Sequence, residues 1–491
     1  MIYAYLNHIQ IDKHSAIPVY VQIRDAIRNT ITAGSLLPGM KLPSSRTLCM
    51  HFDVHRQTVI AATNELLAEG WLKSHGTKGI YVNEKLPVVK PVALASATRS
   101  YPTYTGFRFT ISKQQLTTPA RVNNIGFDDG YPDVRIAPVK ELGKAYLQTL
   151  KEKSRYSRLS KREPMQGSTL LRTELARLMS SYRGMGITAD NILITQGSQM
   201  SIFLAASLLI TKGDNVVVTS PNYLTSNSCF KNLGANLLKT RVDGSGMVTD
   251  DVQAICKKRK IKCVFVTSHH HHPTTVALSI ERRLQLLSLA EKYGFAIIED
   301  DYDYDFHYLN RPLMPIASND TNGHVIYIGS FSQILSNKFR VGYIIAPGNF
   351  ISELMHFKKI VDRHGDIILQ DAVGKLLRDN IIKNHIKKAV NIYRQRRDHS
   401  FELLSELHKY MQCNKPEGGM AFWSLFDNKL SLPAISAQCA AKEIYFPDGQ
   451  WYNDGDLKEN GCRMGFASMN KKEMEMAVDI LRSAIIKTAG K

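Results

Sequence analysis

Between Asn123 and the last residue, short apolar runs recur: NILIT, NVVVTS, CVFVTS and AIIED, each bounded by polar or glycine residues and separated by amphipathic helical stretches. Strands that alternate with helices in this way build an α/β domain around a largely parallel sheet. The chain has 491 residues, more than the ~100–200 of one ordinary domain. Three zones divide it. Residues 1–84 are helix-rich with one short hairpin, 85–122 are rich in Pro, Ser and Thr without a period and read as a linker, and 123–491 carry the alternation. With 44% hydrophobic residues, a large core is expected and wholesale disorder is not.

In the first zone, PVYVQIRDAIRNTITAGSLLPG reads as an amphipathic helix with Val21, Ile23, Ile27 and Ile31 on its apolar side and Gly34 and Pro38 ending it. SSRTLCMHF follows as a short helix with Ser44 as N-cap. DVH is a tight turn, and RQTVIAATNELLAEG is a second helix closed by Gly70. Two short helices about a three-residue turn make a helix-turn-helix, whose second helix can enter a major groove. WLKSHGTKGIYV adds a small hairpin with Lys78 at its tip, a wing suited to phosphate contact. Ser45, Arg46, Arg56, Gln57, Thr58 and Lys78 are the candidate DNA contacts, the arginines for phosphate or guanine and Gln57 and Thr58 for base edges. The net charge of +19, from 63 Lys and Arg against 44 Asp and Glu, suits a polyanionic partner. PVYVQI, AGSLLPGMKLPSSRTL, RQTVIAATNELLAEGWL and GIYV resemble the winged helix-turn-helix domain of the GntR family, over about Ile17 to Val82. His55 stands where that family often has Ser, and Thr77 stands near its wing glycine.

The large zone carries several candidate ligand contacts. ITQGSQMSIFLAASLL leads from a strand through Gly197 into a helix beginning at Ser198 and Gln199, a possible phosphate seat. AIIEDDYDYDF sets Glu299, Asp300 and Asp301 at the end of a buried strand with Tyr302 beside them, where α/β folds bind ligands. TSPNYL places Tyr223 after another strand, and CRMGFA places Arg463 where it could hold a carboxylate bidentately. YIGSFSQILSNKFRVGY offers Ser330 and Arg340 for a phosphate, with Gln333 between them.

Taken together with RRLQLLSLAEKYGFAIIEDDYDYDF, YIGSFSQ and FRVGYIIAP, these motifs resemble a fold-type-I aminotransferase, and in particular the large domain of the MocR subfamily of GntR regulators, across nearly the whole chain. The resemblance implies pyridoxal 5'-phosphate as cofactor. Asp300 would pair with its pyridine nitrogen and Tyr302 with its phenolic oxygen, Tyr223 would stack on its ring, and Ser198, Gln199, Ser330 and Arg340 would hold its phosphate. Arg463 would grip the carboxylate of an incoming amino compound. It also implies a homodimer.

Two departures from that family stand out. The residue after SFS is there the lysine that links covalently to the cofactor; here it is Gln333. An amide nitrogen has its lone pair delocalised and cannot act as the amine nucleophile, so Gln333 can only hydrogen-bond. Any pyridoxal phosphate is then held noncovalently, with no internal Schiff base, and no catalytic residue is assigned. Lys338 lies five residues on and is not a replacement. The second departure is TSHHHHPTTVALS: His269, His270, His271 and His272 precede Pro273, and Thr275 takes a glycine position. In an extended segment consecutive side chains point to alternate faces, so only two of the four would converge and no metal site is assigned.

Seven dispersed cysteines without a CxxC pair read as reduced thiols of a cytoplasmic protein. MIYAYLNHIQIDKH lacks a basic leader, and IFLAASLLI is far below the ~20 residues of a membrane span. The expected protein is a cytoplasmic transcriptional regulator that binds a double-stranded DNA operator, whose aminotransferase-like domain senses a vitamin B6 form or amino compound. The alternative is a pyridoxal-phosphate aminotransferase with an appended DNA-binding domain.

Overall fold

The computed structural model describes residues 9–87, 103–108, 125–152, 165–308, 313–452 and 459–490. Two compact units divide the chain, Met1–Ile111 and Ser112–Lys491. Most of the expected linker, 85–122, lies outside the described residues. Among the described residues no helix is long and apolar enough to cross a membrane.

The first unit holds α1 (Val19–Thr32), α2 (Ser45–Phe52), α3 (Arg56–Ala68) and the antiparallel pair β1 (Leu72–Ser74) and β2 (Ile80–Val82). Ile23, Ile27 and Ile31 recur every four residues on α1 and bury one stripe against Leu48, Phe52, Val59, Leu66 and Trp71. Ser44 Oγ accepts the Thr47 N–H at 3.1 Å and so caps α2. At α3 the cap is His55, whose Nδ1 accepts the Gln57 N–H at 3.3 Å. The imidazole thus satisfies an orphan helix donor that a hydroxyl usually takes. Asp53, with φ 51°, turns the chain between α2 and α3.

The second unit is built on a seven-stranded sheet. In chain order its strands are β3 (Ile192–Thr195), β4 (Asn215–Thr219), β5 (Asn236–Thr240), β6 (Cys263–Val266), β7 (Ala296–Asp301), β8 (Val325–Ser330) and β9 (Gly342–Ile345). Across the sheet they run β3-β9-β8-β7-β6-β4-β5. Every strand but β9 points the same way; β9 pairs antiparallel with both β8 and β3. The four residues of β3 and of β6 are all buried, as their unbroken apolar runs require of strands covered on both faces. Helix α4 (Ser198–Leu209) follows β3, and α5 (Leu224–Asn232) follows β4. The long helix Ile381–Ser405 leads to a small antiparallel sheet of β10 (Met411–Cys413), β11 (Ala421–Phe426) and β12 (Gly461–Gly465). This is the α/β class the alternation predicts, with the smaller sheet bringing Arg463 on β12 toward the main one.

Candidate functional site

The carboxyl ends of β3, β4, β6, β7 and β8 converge on one cavity of about 260 Å³. This is the ligand end of a parallel sheet. Ser198, Gln199, Tyr223, Asp300, Tyr302, Ser330 and Arg340 line it, together with Gln333. The sequence motifs that supply them lie far apart in the chain and meet here. Asp129, Tyr131, Thr267, His272, Ser332 and Asn337 complete the wall.

Strand periodicity separates the three carboxylates of β7. Glu299 is fully buried and accepts the backbone N–H groups of Ile316 at 2.9 Å and Ala317 at 3.0 Å, besides the Ser268 hydroxyl. Asp301 accepts from the Tyr327 hydroxyl at 2.6 Å and lies 3.2 Å from His269 Nδ1, and despite its burial these partners and Arg183 hold its pKa below the usual carboxylate range. Asp300 points to the other face, into the cavity wall, where its Oδ1 is buried without a hydrogen-bond partner. Burial, with Asp301 and Asp303 as like-charged neighbours, pushes its pKa up to about 8.

The same cavity holds a cradle for an anion. Gly197 precedes α4 with φ 88°, and no side chain caps the helix. A Cβ at Gly197 would stand 2.7 Å from the Arg340 guanidinium, so glycine is what lets Arg340 close on the helix start. Among the described residues the Arg340 guanidinium has no hydrogen bond or ion pair. Ser330 Oγ accepts the Ser332 N–H at 3.0 Å and donates to Ser332 Oγ at 2.8 Å. An exposed arginine, two hydroxyls and an uncapped helix N-terminus together suit a phosphate monoester. Tyr223 lines the same cavity, with its hydroxyl accepting from Gln199 Nε2 at 2.9 Å.

Gln333 lines the cavity with its Oε1 buried and unpartnered. Lys338 is exposed and is not part of the wall. Tyr302 lines the wall, but its hydroxyl donates to the His270 carbonyl at 2.8 Å. Arg463 lies just behind the wall rather than in it. It is almost wholly buried, and its Nε, Nη1 and Nη2 reach the Asp129 carbonyl, the Pro273 carbonyl and the Tyr302 hydroxyl at 3.1, 3.2 and 3.2 Å.

The histidine tract is not extended. It bends at His269 and His270 and turns from His272 to Thr274, which corrects the alternating-face expectation. All four rings are buried, each with its own partner. His269 meets Asp301, His270 meets Asp303 at 2.8 Å, His271 meets the Thr219 hydroxyl at 2.8 Å, and His272 meets Asp129 at 3.1 Å. Burial holds His271 neutral, with its pKa lowered to about 3. Only His272 lines the cavity, edge-on to Tyr223 with ring centroids 5.0 Å apart. Among the described residues no group of three or more His, Cys, Asp or Glu is placed to hold a metal. Thr275 has φ 65°, the left-handed conformation that a glycine adopts freely. Asp129 was not singled out from sequence because it sits in a polar loop, and its pairing with His272 exists only in three dimensions.

In the first unit, Arg46, Arg56, Gln57 and Lys78 are exposed, and Ser45 and Thr58 are half-buried. Arg56 Nε donates to Ser45 Oγ at 3.2 Å, which ties the start of α3 to the start of α2. The candidate contacts therefore lie at the helix-turn-helix edge and on the wing turn.

Residues 131–481 match the family Aminotransferase class I and II, and residues 19–82 match Bacterial regulatory proteins, gntR family. The probable rhizopine catabolism regulatory protein MocR of Rhizobium meliloti is 25% identical over 485 residues, which cover 97% of this chain and 95% of that protein. The HTH-type pyridoxine biosynthesis transcriptional regulator PdxR of Corynebacterium glutamicum is 24% identical over 492 residues, covering 97% and 98%. Among solved structures, the multiple substrate aminotransferase from Thermococcus profundus superposes with a TM-score of 0.69 at 27% identity, over 75% of this chain and 93% of that one.

Proposed function

Because the chain belongs to the class I and II aminotransferase family over most of its length and carries a gntR-family regulatory domain ahead of it, we propose that it is a DNA-binding transcriptional regulator whose large domain senses a vitamin B6 form or amino compound without catalysing transamination. The observation that carries this reading is Gln333. The cavity keeps an acceptor for a pyridine nitrogen and a cradle for a phosphate, yet the residue in its wall after Ser330-Phe331-Ser332 is an amide. Transamination needs an amine there, both as nucleophile and as proton shuttle.

The aminotransferase fold binds pyridoxal phosphate, and the residues here fit that group. Asp300 Oδ1, buried and unpartnered, suits a pyridinium N–H. The Arg340 and Ser330 cradle at the start of α4 suits the phosphate, and Tyr223 suits the ring face. When bound, the group supplies an electron-withdrawing ring. This chain's residues bind and orient it, and none offers a free amine in the cavity wall. Arg463 would donate to an effector carboxylate in place of its present partners, the Asp129 and Pro273 carbonyls and the Asp129 carboxylate 3.5 Å away. The full-length likeness to two proteins named as regulators, one of pyridoxine biosynthesis, supports the same reading.

In the proposed DNA complex, Arg46 and Arg56 contact phosphate or guanine, Gln57 and Thr58 touch base edges, and Ser45 and Lys78 contact the backbone. The working form is a homodimer on a double-stranded operator. Ligand control then requires that the ligand prefer one of two arrangements of the DNA-binding heads.

The test uses the full-length protein on a duplex it selects from a randomised pool, followed by fluorescence anisotropy with and without pyridoxal 5'-phosphate. The expected result is saturable binding that shifts with the vitamer, with no product from an amino acid plus a keto acid. Steady transamination that is lost in Arg463→Ala would replace this reading with the enzyme one.

A further inference from the structure

We infer that the cavity selects the amine form of the vitamer, pyridoxamine 5'-phosphate, over the aldehyde form, and that Gln333 is the residue that discriminates. This rests on the reading of the cavity as a vitamin B6 site. The argument is a balance of donors and acceptors. Buried polar groups in folded proteins are almost always paired, and an unpaired one calls for a partner. Three side chains in the cavity wall carry a buried atom without a partner: Asp300 Oδ1, Gln333 Oε1 and His272 Nδ1. Asp300 Oδ1 and Gln333 Oε1 are acceptors. His272 Nε2 lies 3.1 Å from Asp129 Oδ2, and its Nδ1 is the third unpartnered atom.

A ligand that fits this wall brings donors. The ring nitrogen and the phosphate are common to all B6 phosphates, so they do not discriminate. The forms differ in the substituent on carbon 4. An aldehyde there has an oxygen acceptor and no N–H or O–H. It would leave an acceptor of the wall unpaired and set another oxygen beside it. A hydroxymethyl group brings one donor. An ammonium brings three, one of which the unpartnered Gln333 Oε1 can take as a charge-assisted hydrogen bond. In a chain with a lysine at this place, the amine would be supplied by the protein. Here the ligand supplies it, and the amide of Gln333 receives it.

The test is calorimetric titration of the full-length protein with pyridoxamine, pyridoxine and pyridoxal 5'-phosphates. Arg340→Ala is the control that assigns any binding to the cavity. The expected order of affinity is amine, then alcohol, then aldehyde, with amine over aldehyde by about tenfold or more, the weight of one charge-assisted hydrogen bond. Gln333→Leu removes the acceptor while keeping bulk, and there the preference collapses toward unity. Gln333→Glu strengthens the acceptor and widens the preference. Equal or tighter binding of the aldehyde form to the wild type, lost in Arg340→Ala, would overturn the selectivity while leaving the B6 site standing. A preference that survives in Gln333→Leu would remove Gln333 as its source. No binding of any of the three would remove the B6 reading itself.

Discussion

Replacing Asp300 by asparagine in the ligand-free protein isolates the cost of keeping a carboxyl group in the cavity wall. Asp300 is completely buried, and its pKa rises from 3.8 to about 8. A raised carboxyl pKa stabilises the folded state below the unfolded value and loses that stabilisation as pH climbs to the folded value. Between the two, the folded state holds one more proton than the unfolded state, so stability falls with slope ~1.4 kcal/mol per pH unit. From pH 5 to pH 8 the wild type therefore loses about 4 kcal/mol through this one group. Asparagine has nearly the same volume and carries no charge at either pH. The variant should track the wild type at pH 5 within ~1–2 kcal/mol and exceed it by several kcal/mol at pH 8.

Urea unfolding of the large domain, followed by tryptophan fluorescence at pH 5, 6, 7 and 8, reads this as a difference in midpoint that widens with pH. The ligand supplies the counter-test. A pyridinium N–H gives Asp300 its missing partner, so a saturating vitamer should restore the wild type at pH 8 more than it stabilises Asp300→Asn. Parallel pH profiles for the two proteins would show that Asp300 ionises like an ordinary surface carboxylate. The account of the cavity as a site waiting for a cationic ring would then fail.

Gly197→Ala should lower affinity for any B6 phosphate by about tenfold or more, because its Cβ falls 2.7 Å from Arg340 and the residue must hold φ 88°; unchanged affinity in calorimetry would dissolve the phosphate cradle. Gln333→Lys should gain a borohydride-reducible adduct with pyridoxal phosphate, visible as added intact mass and absent from the wild type. A wild-type adduct at the cavity would show that another amine reaches it. Arg46→Ala and Arg56→Ala should weaken operator binding and each lower the salt slope of log affinity by about one, with circular dichroism unchanged. If affinity and slope both hold, these arginines do not face the DNA.

Legibility in the sequence followed the range of the physics involved. The helix-turn-helix was readable because each piece is local: the Ile23, Ile27, Ile31 stripe, the Ser44 cap and the Gly70 stop each act within a turn or two. The sheet strands were readable because double-sided burial leaves unbroken apolar runs such as CVFV. The site was legible only through motifs that meet in space: Ser198, Asp300, Ser330 and Gln333, which the family resemblance assigned to one pocket, line the same cavity. The histidines were misjudged because period-2 geometry was assumed where the backbone bends, and their four separate partners come from three different segments. Arg463 was found, but its burial against carbonyl groups depends on the distant loops at Asp129 and Pro273 meeting it, which no local pattern encodes.

If the proposed function holds, strand β7 shows how a site can lose its chemistry and keep its shape. Its pleat sends Glu299 and Asp301 to one side, where they tie down backbone N–H groups, Tyr327 and Arg183, and sends Asp300 to the other, toward the ligand. The structural pair does not depend on any ligand, so the strand end stays ordered whether the cavity is used for turnover or only for binding. Gln333 stands in a different element, after β8, and can change from amine to amide without touching that support. An amide is half of what an amine-bearing ligand needs, and an amine-bearing wall is half of what an aldehyde needs. On this reading, one substitution exchanges the two halves: the reactive nitrogen moves from protein to ligand, bond formation between them stops, and what remains is a pocket that reports the amount of its ligand.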